Sequence, residues 1–257
     1  MRVIFLLFFA LVMGCNADRS SADKQQAQTG QAEGNTNRDT LQVDTSVDFV
    51  TGQFDFITHD DFMQVDPQYA DKEIYLHKET YKAFKAMADS ARADDISLIV
   101  ISGTRNFDAQ KSIWERKWNN STAESDLDKA LEILEYSSMP MTSRHHWGTD
   151  IDLNDLNNSY FESGQGRREY EWLRAHANDF GFYQPYTEKS LNGRTGYNEE
   201  KWHWSYLPLA SQYLKFYNRH ISNTDITGFK GSEHAKEIDM VNNYVNGISS
   251  TIKQESE

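Results

Sequence analysis

Residues 143–152 read Ser-Arg-His-His-Trp-Gly-Thr-Asp-Ile-Asp, a stretch that gathers imidazoles and carboxylates around a single glycine. Residues 149–153 alternate in character as a strand does, so Asp150 and Asp152 are predicted to face the same side. His145 and Asp152 lie seven residues apart across the glycine turn. A loop that leads into a strand can point both side chains at one ion.

A second polar cluster begins at Glu200, where the chain reads Glu-Lys-Trp-His-Trp-Ser-Tyr. Residues 201–206 predict a strand on which His203 faces away from its two tryptophan neighbours. Glu200 is expected in the loop or bulge just before that strand, within reach of a metal-bound water. His145, Asp152 and His203 then match the ligand set of a zinc site with one position open for water. A histidine taken alone is more often structural, so the prediction depends on the whole pattern.

The surrounding sequence predicts the elements that carry these residues. A run of β-branched residues at 96–101 indicates a buried strand, which ends in Ser-Gly-Thr-Arg and so releases Arg105 at its end. The alternative for Arg105 is a surface guanidinium paired with one of the many acids. Asn106 or Asp108 can cap the next helix, which carries Gln110. Apolar spacing and capping residues predict helices at 77–93, 106–118, 127–134, 168–180 and 209–220.

The first residues have the form of an export signal. Met-Arg is followed by an apolar run at 3–13, shorter than the roughly 20 residues that span a bilayer. The run ends in Val-Met-Gly-Cys, which resembles the lipobox of bacterial lipoproteins, and Cys15 is the chain's only cysteine. We expect residues 1–15 to be a lipoprotein signal peptide. Cys15 would then anchor the exported protein to a membrane, facing the periplasm or cell wall; the alternative is an ordinary signal with a chance cysteine.

Composition divides the remainder of the chain. Residues 16–45 have almost no large apolar side chains, which predicts a disordered tether. Residues 46–222 fit one domain. Residues 223–257 are interpreted as a tail, in which apolar spacing indicates a helix that docks on the domain or on a partner. The net charge of −13 argues against a nucleic-acid partner, because phosphate binding needs a basic face.

Three motifs occur together and in order along the chain. Ser-Gly-Thr-Arg at 102–105 is followed by Gln110, then by Ser-x-His-x-x-Gly-x-x-x-Asp at 143–152, and finally by Glu-x-Trp-His at 200–203. In order and rough spacing this pattern resembles the zinc D-alanyl-D-alanine carboxypeptidases of the VanY type, over about residues 70–210. The resemblance implies an α+β fold with a mostly antiparallel central sheet flanked by helices, as in hedgehog and DD-peptidase domains.

The resemblance also implies roles for individual residues. It implies Zn²⁺ as the cofactor, with His145, Asp152 and His203 as its ligands. Glu200 matches the catalytic glutamate, and Arg105 matches the arginine that binds the substrate and polarises the scissile carbonyl. Ser143 and Gln110 match positions that line the substrate pocket. The expected substrate is a peptidoglycan stem peptide ending in D-alanine, whose terminal residue is released.

The chain departs from the family pattern at one position. The family usually carries a small residue, often alanine, two residues before the metal aspartate, and here that residue is Asp150. A second carboxylate could compete for zinc, or it could hydrogen-bond a ligand from behind, which is the interpretation we favour. His146 similarly duplicates His145. The glycine three residues after His145 selects His145 as the ligand, which leaves His146 as a pocket or supporting residue.

Several alternatives remain open from the sequence. An L,D-carboxypeptidase, a D-Ala-D-Ala dipeptidase or an endopeptidase would differ in pocket shape, which the sequence does not reveal. A zinc-containing module that binds wall peptides without cleaving them is a different class of function. The presence of both Glu200 and Arg105 argues against that module. A serine hydrolase is excluded because the chain lacks a Gly-x-Ser-x-Gly elbow.

Overall fold

A computed structural model of the protein describes residues 45–256, without the side chains of residues 191–192 and 254–256. The predicted signal peptide, Cys15 and all but the last residue of the predicted tether lie outside the described residues. Between residues 45 and 256, no helix combines the length and the apolar character that a membrane span requires.

Helices and short strands alternate along the described chain. The α-helices are α1 (Val47–Val50), α2 (Lys78–Ala93), α3 (Phe107–Asn120), α4 (Asp126–Ile133), α5 (Gly164–His176), α6 (Lys189–Asn192), α7 (Leu207–His220), α8 (Ala235–Ile238) and α9 (Ser250–Ser256). The strands are β1 (Phe62–Gln64), β2 (Tyr75–His77), β3 (Val100–Ser102), β4 (Asp150–Leu153), β5 (Phe182–Tyr183) and β6 (His203–Tyr206). Short 3₁₀ helices cover Arg144–Trp147, Asn158–Glu162, Ala177–Phe180 and Ser232–His234.

The central sheet has four strands in the order β3-β4-β6-β5, and each neighbouring pair is antiparallel. A separate antiparallel hairpin joins β1 and β2. In the β4–β6 register, Asp152 lies opposite His203 and Asp150 lies opposite Ser205. The predicted α+β class with a mostly antiparallel sheet is confirmed.

The apolar faces of the predicted helices pack where their spacing indicates. Tyr81, Phe84 and Met87 of α2 are buried in one core cluster with Ile151 of β4 and Trp204 of β6. The Asn106 side chain accepts a hydrogen bond from the Ala109 N–H at the start of α3, at 2.9 Å, and so acts as its N-cap. The helix predicted at 168–180 divides into α5 and a 3₁₀ turn, which ends at Gly181 with a φ of 81°.

The strand predicted at 96–101 is shorter than its apolar run. Only Val100–Ser102 joins the sheet, because the Asn154 side chain occupies the hydrogen-bonding groups that precede it. The Asn154 Oδ1 accepts from the Ile99 N–H at 2.7 Å, and its Nδ2 donates to the Ser97 carbonyl at 2.8 Å. A side-chain amide therefore replaces part of the ladder between β3 and the end of β4.

The segment after residue 222 packs on the domain. Phe229 meets the ring of Trp114 edge-on at 5.9 Å, and the Trp114 indole N–H donates to the Lys230 carbonyl at 2.8 Å. Ile238 and Ile252 are buried in the same cluster. The segment is a series of short turns and helices rather than one helix, since the chain turns at Asp239 with a φ of 54°.

Gly148, the glycine of the stretch at residues 143–152, is expected to be sensitive to substitution. Its φ is 67°, and a Cβ there would lie 2.4 Å from a Phe62 ring carbon and 2.9 Å from the His77 backbone nitrogen. Gly148→Ala should lower the free energy of unfolding by about 2–5 kcal/mol, combining left-handed strain with overpacking. Urea unfolding of the full chain measures this loss.

Gly164→Ala is the matched control for that substitution. Gly164 also has a positive φ, of 58°, but no atom of the described residues lies within 4 Å of the position of its Cβ. Only strain of about 1–2 kcal/mol is expected there. Equal losses in the two variants would contradict the packing argument.

Candidate active site

Three strands and one 3₁₀ helix converge on the residues predicted from sequence. The end of β3 delivers Gly103 and Arg105, and the 3₁₀ helix Arg144–Trp147 carries His145. The strand pair β4–β6 sets Asp152 against His203. Residues distant in sequence thereby meet at one end of the sheet.

His145, Asp152 and His203 are buried and offer ligand atoms that all lie within 4.8 Å of one another. The His145 Nε2 is 3.4 Å from the Asp152 Oδ2. The His203 Nδ1 is 3.2 Å from the Asp152 Oδ1. The imidazole rings stand nearly perpendicular, with centroids 4.8 Å apart. The structure brings together all three residues that the sequence predicts as metal ligands.

Hydrogen bonds on the far side of each ring orient the two imidazoles. The His145 Nδ1–H donates to the Gly103 carbonyl at 2.9 Å, which leaves Nε2 facing Asp152. The His203 Nε2–H donates to the Asp150 Oδ2 at 2.9 Å, which leaves Nδ1 facing Asp152. An imidazole that ligates a metal almost always has such a partner on its other nitrogen.

Asp150 is held in a complete hydrogen-bonding network behind His203. Its Oδ2 also accepts from the Arg144 Nε at 2.9 Å. Its Oδ1 accepts from the hydroxyls of Thr149 at 2.7 Å and Ser205 at 2.8 Å. Burial raises the pKa of Asp150, but Arg144 and His203 outweigh it and lower the pKa overall. Because protein groups occupy both of its oxygens, Asp150 orients His203 through the Nε2–H and leaves Nδ1 facing Asp152.

Glu200 lies in the turn before β6, and its Oε2 is 3.2 Å from the His203 Nδ1. The turn is fixed by the backbone, since the Glu200 N–H donates to the Tyr186 carbonyl at 2.9 Å. The Glu200 carbonyl accepts from the Gln184 Nε2 at 3.1 Å. Burial raises the pKa of Glu200 while His203 lowers it, and the net shift is upward. A raised pKa suits a carboxylate that takes up and releases a proton.

Arg105 lies beside the same cluster, with an Nη1 3.8 Å from the Asp152 Oδ2. That nitrogen donates to the Ser102 hydroxyl at 2.6 Å, and Nε donates to the Gln110 Oε1 at 3.0 Å. The Gln110 Nε2 donates in turn to the Ser138 carbonyl at 2.8 Å. Gln110 therefore orients Arg105, and both line the same cavity.

The two remaining predicted residues lie behind the cluster. The His146 Nδ1–H donates to the Arg105 carbonyl at 2.7 Å, and burial lowers the pKa of His146 to about 3. His146 is therefore neutral and supports the backbone of Arg105. The Ser143 hydroxyl is buried without a hydrogen-bond partner among the described residues. The residue does not line the cavity there, so its predicted role in substrate binding stays a prediction.

The donor set and its charge fit a divalent cation. Burial lowers the pKa of His145, as a neutral imidazole ligand requires. Burial also acts to lower the pKa of His203, but the carboxylates of Asp150, Asp152 and Glu200 raise it well above its usual value. The buried Asp152 Oδ1 lacks a hydrogen-bond partner within the described part of the chain. Two imidazole nitrogens and a carboxylate oxygen are one of the ligand sets that catalytic zinc sites use.

The cluster opens into a cavity of ≈ 1070 Å³. His145, Asp152, Glu200 and His203 line one part of it, together with Arg105. Other parts of the wall come from the hairpin, α3 and the loops after α4 and β4. Residues of these parts are Tyr75, Ile113, Lys117, Tyr136, Ser137, Leu156 and Asn158. The volume is sufficient for several residues of a peptide.

Sequence reasoning missed several residues that support the site. Arg144 and Ser205 hold Asp150, with the Arg144 Nη2 donating to the Ser205 hydroxyl at 2.6 Å. The Tyr186 ring lies against His203, with centroids 4.8 Å apart. Ser205 could have been found from strand alternation, since it lies two residues after His203 on the same face. No sequence signal singles out Tyr186, because the path of the loop between Tyr186 and His203 determines where its ring lies.

Comparisons with known proteins cover the part of the chain that builds this site. YodJ of Bacillus subtilis (strain 168), a protein named as a carboxypeptidase, is 30% identical over 135 residues, which are 52% of this chain and 46% of YodJ. A D-alanyl-D-alanine carboxypeptidase of Enterococcus faecalis (strain ATCC 700802 / V583) is 31% identical over 125 residues, which are 48% of this chain and 45% of that protein. The chain thus spans about half the length of these curated relatives.

One solved structure, of VanYB in complex with D-alanine-D-alanine, aligns with 74% of this chain and 88% of its own at 20% identity, with a TM-score of 0.47. The family model described as VanY, D-alanyl-D-alanine carboxypeptidase, matches residues 73–209. That range is more than half of the chain and contains β3, β4, β6 and each predicted ligand. The chain belongs to the VanY family of D-alanyl-D-alanine carboxypeptidases.

Proposed function

We propose that the protein is a zinc-dependent D-alanyl-D-alanine carboxypeptidase that removes the terminal D-alanine from peptidoglycan stem peptides. The observation that carries the proposal is the buried cluster of His145, Asp152 and His203, which shares one cavity with Glu200 and Arg105. Membership of the VanY family supports the reaction class. The name of the Enterococcus faecalis relative supports the substrate.

His145 Nε2, Asp152 and His203 Nδ1 are the atoms that would hold zinc. When bound, zinc supplies a Lewis acid and an activated water for attack on the scissile carbonyl. Glu200 moves the protons: its carboxylate takes one from the attacking water and later gives it to the leaving amine. The raised pKa of Glu200 favours the first transfer, because it makes the carboxylate a stronger base toward the attacking water.

Arg105 supplies positive charge to the same reaction. Its guanidinium is fixed by Ser102 and Gln110 before any substrate arrives. A donor that is already in position stabilises the negative charge on the oxygen of the tetrahedral intermediate without reorganisation. This preorganisation is the contribution that we assign to Gln110 in place of direct contact with the substrate, since its amide is already engaged.

Stem peptides of different length provide the test. Incubated with the protein, the pentapeptide ending in D-alanyl-D-alanine should lose one alanine, and a chelator should abolish the loss. Mass analysis of the products measures it. Loss from the tetrapeptide alone would move the assignment to an L,D-carboxypeptidase. An absence of chelator-sensitive loss from both peptides would refute a peptidase acting on these substrates.

Glu200→Gln is the matched control for the catalytic chemistry. It keeps the three predicted ligands and the shape of the side chain, so zinc content should stay at one ion per chain by elemental analysis. The pentapeptide turnover number should fall by about 10²–10⁴-fold, because the proton acceptor is gone. Turnover near that of the wild type would show that Glu200 does not have this role.

Asp150 should tune the affinity for zinc through its hydrogen bond to His203. Asp150→Asn removes the negative charge at that position, and zinc affinity should fall by about 10- to 100-fold in chelator competition. Ser205→Ala is the control. It removes a hydrogen bond to the other oxygen of Asp150 but keeps the charge of Asp150 and its bond to His203, so zinc affinity should fall less. Equal affinity in the wild type and Asp150→Asn, with folding verified by circular dichroism, would contradict this role.

We further propose that the protein is exported and anchored to a membrane through lipid on Cys15, facing the periplasm or cell wall. The lipobox-like end of the apolar run supports this location. The wild-type chain should be recovered with membranes and released by detergent. Cys15→Ser should be recovered in the soluble fraction instead. The same distribution for both chains would rule out the anchor.

A further inference from the structure

Helix α3 presents one face to the cavity and the other to the core. Gln110, Ile113 and Lys117 line the cavity, at the i, i+3 and i+7 positions of one helix face. Trp114 and Trp118, which lie between and beyond them, are buried in the core. The helix therefore holds Lys117 at a defined place in the cavity wall, about 10 Å along the axis from Gln110 at 1.5 Å per residue.

Lys117 is partly buried and has no ion-pair partner among the described residues. Its ammonium donates to the Ser137 hydroxyl at 2.6 Å. No carboxylate lies within 4.0 Å of it in the part of the chain that the structure describes. An ammonium has three donors, so those not used by Ser137 are available to the cavity. A partly desolvated cation without an anion is costly, and an anionic ligand would relieve that cost.

A loop contact places Lys117 near the segment that carries Glu200. Ser137, which accepts from Lys117, follows Tyr136, whose ring centroid lies 6.2 Å from that of Trp202, two residues after Glu200. Burial lowers the pKa of Lys117, and the Glu200 carboxylate acts to raise it. Two other cations of the cavity wall, Lys72 and Arg116, are exposed to solvent. Arg105 already lies beside Asp152 and has donors committed to Ser102 and Gln110.

The proposed reaction puts one particular anion at this place. Glu200 delivers a proton to the leaving amine, so the leaving residue must lie on the Glu200 side of the scissile bond. In a C-terminal residue the α-carboxylate is only two bonds from that amine nitrogen. A cation near Glu200 can therefore receive this carboxylate, whereas an internal peptide bond offers only a neutral carbonyl there.

We propose that Lys117, oriented by Ser137, binds the free α-carboxylate of the leaving residue and makes the enzyme specific for peptides with a free C-terminus. This inference rests on the proposed function and goes beyond it, because it assigns the determinant that separates a carboxypeptidase from an endopeptidase. A lysine side chain is flexible, so on its own it would offer the carboxylate a positive charge without a fixed position. The hydrogen bond to Ser137 restricts the position of the Lys117 ammonium.

The test compares the stem pentapeptide as the free acid with the same peptide ending in a carboxamide. Loss of a hydrogen bond to a charged group corresponds to about tenfold to hundredfold, so the wild-type kcat/KM should favour the acid by that factor. Lys117→Met should remove this preference by lowering kcat/KM for the acid alone. The change should fall mainly on KM, since the carboxylate is held equally in ground state and transition state.

Two further variants separate this role from a structural one. Lys117→Arg keeps the charge and should keep most of the preference for the acid. Arg116→Met removes a charge from the solvent-exposed part of the cavity wall, one residue before Lys117, and the preference should be unchanged. Circular dichroism and the melting temperature verify that the variants fold.

Failure of the inference and failure of the proposed function give different results. A wild-type enzyme that cleaves acid and amide equally overturns the carboxylate site, and so does an undiminished preference for the acid in Lys117→Met. A preference that disappears in Arg116→Met instead would assign the site to Arg116. A wild-type enzyme that cleaves neither peptide overturns the proposed function, and this inference with it.

Discussion

The antiparallel register between β4 and β6 is the constraint on which the site depends. It sets Asp152 opposite His203 and Asp150 opposite Ser205, so four polar side chains emerge on one face of the sheet. A slip of one residue in either strand would turn its two polar side chains to the other face and separate them from the other pair. The buried residues between them, Ile151 and Trp204, hold the register because they pack with α2.

Two carboxylates on one strand face have acquired different surroundings. Asp150 is saturated by Arg144, Thr149, Ser205 and His203. Asp152 keeps one oxygen without a hydrogen-bond partner in the described structure. Because a buried carboxylate needs compensation, the first is satisfied by the protein and the second has capacity for a cation. Asp150 thus forms a buried hydrogen-bond network with His203, and both of its oxygens are occupied by protein groups.

The sequence predicted most of what local patterns determine. Apolar spacing located α2, the capping residue Asn106 located α3, and alternation located β4 and β6. The convergence of His145, Asp152 and His203 was predicted from the three motifs together with the family resemblance, and the structure brings these residues together. The shortened β3 was not predicted, because Asn154 reaches it from a distant position in the sequence. Arg144, Tyr186 and Lys117 were missed for the same reason: their partners are set by tertiary packing rather than by period or neighbours.

The packing of the last residues against α3 has a consequence for how the chain can be shortened. Trp114 has its indole N–H satisfied by Lys230 and its ring covered by Phe229. A proteolytic cut near residue 222 that released the remainder would expose this tryptophan and leave its donor facing water. The opposite side of the same helix carries Gln110 and Lys117. Loss of the segment after residue 222 would therefore weaken the packing of α3, which forms part of the cavity wall, although no described residue of that segment lines the cavity.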